Sequence, residues 1–161
     1  VGSEMCIRDR DGIPEPDPVL EISVDGYIPD DYIADPRYKL ELYRRFAGLD
    51  YGEKDDLLDE IIDRFGEPPE EVEVLWRVAC LRALCRLLHI RGISVKPGEL
   101  RITFAENAAI DPTALMQLIS EQQQYMNFKS GAQAQLIFRT VKLKTDSLTW
   151  LEKNLPRLAF D

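Results

Sequence analysis

Apolar residues recur at helical spacing through the first half of the chain and alternate in pairs through the second. Leu57, Leu58, Ile61, Ile62 and Phe65 are separated by steps of three and four, so they share one face of a helix running from about Lys54 to Phe65. Gly66 can adopt the positive φ that closes such a helix, and Pro68-Pro69 prevents its continuation. A longer helix follows, from about Pro69 to Ile90, with Val72, Leu75, Trp76, Ala79, Ala83, Leu84, Leu87 and Leu88 as its apolar stripe. A stripe of that width needs neighbours on more than one side, so this helix is the expected centre of the core, ended by Gly92. The Trp76 indole N–H should find a partner or lie near the surface.

Upstream, Val19 to Val24 alternates as a short strand. Asp30 to Ile33 reads as a loop or a single helical turn. Asp35-Pro36 pairs a capping carboxylate with a proline suited to the first turn of a helix from Arg37 to Ala47. Leu40, Tyr43 and Ala47 form one stripe of that helix and Tyr38, Leu42 and Phe46 a second, which predicts a well-buried helix. Downstream, Ile93 to Lys96 and Leu100 to Phe104 flank Pro97-Gly98 and predict a hairpin. Asp111-Pro112 starts a helix to about Gln123, with Leu115, Leu118 and Ile119 inward. Tyr125 to Phe128 and Gln135 to Arg139 are strands, and Asp146-Ser147 caps a last helix through Leu148, Leu151 and Leu155. The pattern predicts an α+β fold: a helical N-terminal half of three main helices, packed with a small, mostly antiparallel sheet and two further helices. Residues 1–18 read as a tail and proline-rich linker, and residues 19–161 as one domain.

The chain has 161 residues, 45% of them hydrophobic and 30% charged, with a formal net charge of −9. Such a chain repels nucleic acid and acidic membranes unless it carries a local basic patch, and complements a basic protein surface. Arg77, Arg82, Arg86 and Arg91 could form such a strip, with Lys142 and Lys144 as a second small cluster; neither accompanies a nucleic-acid recognition motif. No apolar run reaches the roughly 18 residues of a membrane span. Cys80 and Cys85 are expected as buried thiols on different faces of the long helix, and Cys6 lies in the tail.

Catalysis and metal binding have little to stand on. His89 is the single histidine, placed at a helix end without a nucleophile beside it. Asp56, Asp59, Glu60 and Asp63 are mixed with Lys54 and Arg64 and lack a loop with oxygen-ligand spacing. No catalytic, metal or cofactor role is expected. The acids and arginine opposite the apolar face of the 54–65 helix are instead the first candidate for a partner site.

Three runs then carry a resemblance: Asp25-Gly26-Tyr27-Ile28-Pro29-Asp30-Asp31-Tyr32-Ile33, Arg37 to Arg44, and Glu60-Ile61-Ile62-Asp63-Arg64-Phe65-Gly66-Glu67-Pro68-Pro69. They resemble the C-terminal (TRCF) domain of the bacterial transcription-repair coupling factors, the Mfd family. The resemblance implies a cytoplasmic, non-catalytic regulatory domain at one end of a large DNA translocase; no phosphate-binding glycine loop or other motor motif is present here. It implies that the domain packs on the translocase's N-terminal UvrA-binding region and masks it, with UvrA and RNA polymerase as indirect partners. It places the masking contact on Glu60, Asp63 and Arg64, which at i, i+3 and i+4 share a helix face. The expected partner surface is basic and offers at least one acid or carbonyl to Arg64. The nucleic-acid strip through Arg77, Arg82, Arg86 and Arg91 is the alternative.

Overall fold

A computed structural model describes residues 17–24, 26–140 and 146–159. In chain order the described elements are β1 (Val19–Glu21), α1 (Pro36–Ala47), a 3-10 turn (Tyr51–Glu53), α2 (Lys54–Phe65), α3 (Glu70–Leu88), β2 (Ile90–Lys96), β3 (Glu99–Phe104), α4 (Pro112–Glu121), β4 (Met126–Lys129), β5 (Gln135–Arg139), α5 (Ser147–Asn154) and a final 3-10 turn (Leu155–Leu158). This is the α+β arrangement that the pattern predicts. The sheet has five strands in the order β1-β2-β3-β5-β4. Only β1 on β2 is parallel; the β2–β3, β3–β5 and β4–β5 pairs are antiparallel.

Helix α3 is the spine, and its two halves serve two cores. Leu81, Leu84, Cys85 and Leu88 pack on the sheet with Ile93, Leu100, Ile102, Leu136 and Phe138, and with Leu148, Trp150 and Leu151 from α5. Val72, Ala79 and Cys80 pack with Leu42 and Phe46 of α1, Leu57 and Ile61 of α2, and Ile28 and Ile33 of the preceding loop. The two buried cysteines thus do lie on different faces, one in each core. Burial in these apolar surroundings pushes both thiols up to about 12. The Trp76 indole donates to the Lys54 carbonyl at 2.8 Å, which ties α3 to the start of α2.

Local capping chemistry sets the helix starts. Asp35, Asp111 and Asp146 each accept a backbone N–H from the first turn of the helix they precede, at 2.9, 3.0 and 2.7 Å. The Thr149 N–H, and to a smaller extent the charge of Arg77, hold the Asp146 carboxyl below its usual 3.8. A depressed folded-state value means stability that is fully present above about pH 4 and is lost as pH falls through the folded value. Asp146→Ala should cost about 1 kcal/mol at pH 7. The same substitution should cost less at pH 3, as urea titrations at the two pH values would show. An equal cost at both would contradict a charged cap.

Four sequence expectations are corrected. Helix α3 ends at His89, not at Gly92: His89 takes a left-handed conformation (φ 56°, ψ 48°) and its N–H caps Cys85 and Arg86. Gly92 instead sits inside β2, where an added Cβ would lie 2.9 Å from the Val19 carbonyl oxygen, so its bare backbone lets β1 approach. On α3, Leu87 is exposed, whereas Cys80, Leu81 and Cys85 are buried. Only one stripe of α1 is buried, through Leu42 and Phe46; Leu40 and Tyr43 are exposed because no helix or strand covers their side, and Tyr38 stays largely exposed although it packs on Phe65 of α2. The first strand is shorter than its alternation, stopping at Glu21. Cys6 and the Lys142–Lys144 cluster lie outside the described residues.

Candidate functional site: the outer face of the first two helices

Helix α2 has the predicted bounds. It buries Leu57 and Ile61, and Leu58, Ile62 and Phe65 are partly covered. Gly66 closes it with φ +88° and an extended ψ of −175°, a combination that favours glycine, while its N–H bonds Ile62 O. The Tyr32 hydroxyl donates to the Gly66 carbonyl at 2.6 Å, and Phe65 packs between Tyr32 and Tyr38 with ring centroids 6.1 and 6.4 Å away. The end of α2 is therefore fixed by aromatic packing as well as by its stop signal.

Glu60 and Arg64 do come together, but within an ion-pair ladder between α1 and α2. Glu60 is bonded to Arg45. Arg64 Nη1 lies 2.9 Å from Glu41 Oε1 and 3.6 Å from Glu60 Oε2. The pairing of Glu41 with Arg64 and of Arg45 with Glu60 makes the two helices antiparallel. The Arg64 guanidinium also sits 4.9 Å from the Phe65 ring centroid and 5.8 Å from that of Tyr38, at cation–π distance. Its hydrogen bond to Glu41 raises the arginine further, and the hydrogen bond from Arg45 holds Glu60 below the usual carboxylate range. The four charged side chains keep 38–47% of their surface. Exposed, solvent-screened pairs of this kind contribute little to stability, so the ladder orients groups more than it stabilises the fold.

Asp63 stands apart. It is exposed, and among the described residues it makes no ion pair. It continues a row of exposed acids, Asp56 and Asp59, at i, i+3 and i+7 on the solvent side of α2. Of the three predicted contact residues, two have partners within the domain and one faces solvent unneutralised. Tyr38, Glu41 and Arg45 belong to the same face and were not singled out from sequence. The signal was there in part: Glu41/Arg45 and Glu60/Arg64 are both oppositely charged i, i+4 pairs, but which helix meets which is not a local property.

The depression between Tyr38, Glu41, Arg45, Glu60 and Arg64 holds only about 10 Å³, and a wider hollow of about 260 Å³ adjoins it beside Arg44, Arg45, Asp56 and Glu60. Small-molecule sites run to roughly 300–1,000 Å³ and neither hollow reaches that, so this surface suits a macromolecular partner. Larger cavities lie elsewhere, one of about 450 Å³ beside Asp17, Arg86 and His89, and one of about 880 Å³ beside Ile22, Val74, Arg77 and Asp146.

The arginine strip does not assemble. Arg77 and Arg86 are nine residues apart, about two and a half turns, and so point to opposite sides of α3. Arg77 makes a bidentate pair with Glu152 at 2.6 and 2.9 Å and also donates to Thr149. Arg86 donates to the carbonyls of Ala47 and Leu49 at 2.7 and 3.3 Å and pairs with Asp17. Both are structural ties. Arg91 lies in β2, off the helix altogether. His89 has Nδ1 3.1 Å from the Asn107 carbonyl oxygen, a further link from the helix end to the loop after β3. Among the described residues no three His, Cys, Asp or Glu side chains gather as metal ligands would, and no helix is long and apolar enough to cross a membrane.

Comparison with known proteins adds a family. A model of the TRCF domain matches residues 22–115, which include the whole α1–α2 face. The chain is 37% identical over 102 residues to the transcription-repair-coupling factor of Bacillus subtilis (strain 168), covering 62% of this chain and 9% of that protein. It is 28% identical over 140 residues to the Escherichia coli (strain K12) protein of the same name, covering 86% of this chain and 12% of that protein. It thus spans about a tenth of the length of these relatives. A crystal structure of the C-terminal domain of transcription-repair coupling factor superposes with a TM-score of 0.72 at 25% identity, covering 88% of this chain and 89% of that one.

Proposed function

The chain belongs to the TRCF domain family, and on that premise we propose that it is a non-catalytic regulatory domain whose α1–α2 face docks on the N-terminal region of a DNA translocase and masks its UvrA-binding surface. The observation that carries this reading is the exposed, unneutralised Asp63 beside a ladder that holds Glu60 and Arg64 in fixed positions. A partner reaching this face meets carboxylates first, so it presents basic side chains. Glu60 and Arg64 then act from preset geometry. Their rotamers are already restrained by Arg45, Glu41 and the rings of Phe65 and Tyr38, so ordering them on binding costs little. The net charge of −9 favours the same kind of partner and speeds encounter with it.

The test is a calorimetric titration of the domain with the N-terminal region of the translocase that it belongs to. Substitution of Glu60, Asp63 and Arg64 together by alanine should weaken binding at least about tenfold, or 1.4 kcal/mol. The wild-type affinity should fall steadily as salt rises from 50 to 300 mM, roughly the range over which exposed charges become screened. Binding unaffected by the triple change, or by salt, would place the contact elsewhere.

A further inference from the structure

Helix α1 carries a second apolar stripe that nothing in the domain covers. Pro36, Leu40, Tyr43 and Ala47 follow one another at i, i+4, i+7 and i+11, and all four are exposed, Leu40 by 51% and Tyr43 by 39%. Scattered exposed leucines are ordinary, but four apolar positions in register along one helix make a continuous seam. Tyr27, 50% exposed, extends it sideways, because the neighbouring Ile28 N–H donates to the Tyr43 hydroxyl at 3.0 Å and holds that segment against α1. By helical geometry Tyr38, Glu41 and Arg45 turn toward α2, whereas this seam lies on the other side of α1.

Cations line the seam. Arg37 and Arg44 run along its solvent side, and Lys39, on the other, is already paired with Asp30. Arg44 makes no ion pair among the described residues, and the Arg37 side chain stays 85% exposed despite its bond to Asp35. Of the four cations on α1, Arg37, Lys39 and Arg45 are paired with Asp35, Asp30 and Glu60, which leaves Arg44 and the largely exposed Arg37 as the charges a partner meets beside the seam. We propose that this seam docks an acidic amphipathic helix of a separate polypeptide, with apolar residues at i, i+3/i+4 and i+7 against Leu40 and Tyr43, and carboxylates against Arg37 and Arg44. A second copy of the chain is a poor match. The acidic row of α2 lies opposite an apolar face that Leu57 and Ile61 already bury, so it offers no seam of its own. Given the masking reading above, the two sides of α1 are independent, and a partner can occupy the seam while the mask is closed.

The probe is an 18-residue helical peptide with leucines at i, i+3, i+4 and i+7 and glutamates on both flanks, titrated into the ¹⁵N-labelled chain. Chemical-shift changes should centre on Tyr27, Leu40, Tyr43 and Ala47, with micromolar affinity. Exchanging the glutamates for lysines, or introducing Leu40→Glu, should weaken binding at least about tenfold. Leu40→Glu should leave the thermal midpoint unchanged, because Leu40 is exposed; Asp63→Arg should leave peptide binding unchanged, which separates this surface from the mask. Equal binding of the lysine peptide, shifts confined to other residues, or no shift at millimolar peptide would overturn the proposal. So would a concentration-dependent dimer lost in Leu40→Glu, or binding to anionic vesicles through the same residues, each of which assigns the seam to another occupant.

Discussion

Ile61→Ala will lower the unfolding free energy by about 3 kcal/mol, within the 2–5 kcal/mol usual for truncating a large buried aliphatic residue. Ile61 is 2% exposed and lies on α2 directly between Glu60 and Ile62. It packs in the smaller core with Leu57, Leu42, Phe46 and Val72, so its truncation opens a void where α1, α2 and α3 meet. Collapse around the void is limited, because Trp76 is tied to Lys54 and Tyr32 to Gly66 at the two ends of α2. For a domain of this size, the thermal midpoint should fall by roughly 6–12 °C. The larger core beneath the sheet shares no buried side chain with this site, so the loss should appear first as faster amide exchange in α1 and α2. Urea unfolding combined with hydrogen exchange measures both. A cost under 1 kcal/mol, or exchange that rises equally in the sheet, would contradict a separate core for the site-bearing helices. Partner binding should weaken in step, because the ladder is aligned only while α1 and α2 stay packed.

Elements whose cause is local could be read from sequence. Helix α2 has the predicted bounds because its apolar spacing and its glycine-proline stop are adjacent in the chain. The three aspartate caps hold for the same reason: each carboxylate reaches a backbone N–H two or three residues away. The β2–β3 hairpin follows from strict alternation on either side of Pro97-Gly98, with Ile93 facing Ile102 and Val95 facing Leu100. Properties set by distant partners could not be read. Two apolar stripes on α1 reveal its periodicity but not which stripe meets a neighbour. Four arginines show a count of charges, whereas Glu152 and the carbonyls that end α1 decide what Arg77 and Arg86 do. His89 ends α3 without being a glycine, because its side chain and backbone are both held by the loop after β3, through Asn107 O at Nδ1 and the Ala105 N–H on the His89 carbonyl. At the candidate site, sequence placed Glu60, Asp63 and Arg64 on one helix face; it could not show that Arg45 and Glu41 already engage two of them.

That division makes Asp63 the residue on which masking can be tested without disturbing the fold. Glu60→Ala or Arg64→Ala would loosen the ladder and blur cause with consequence. Asp63→Arg touches no partner in the domain, exchanges a carboxylate for a cation on a face proposed to meet basic side chains, and should leave the thermal midpoint of the isolated domain within about 1 °C, as expected for a surface change without contacts. A like-charge pair across the interface should release the mask. The measurement is the affinity of the full-length translocase for UvrA, with and without Asp63→Arg. The substitution should raise that affinity at least about tenfold, the equivalent of 1.4 kcal/mol of lost masking. Unchanged affinity in a variant of unchanged stability would contradict it.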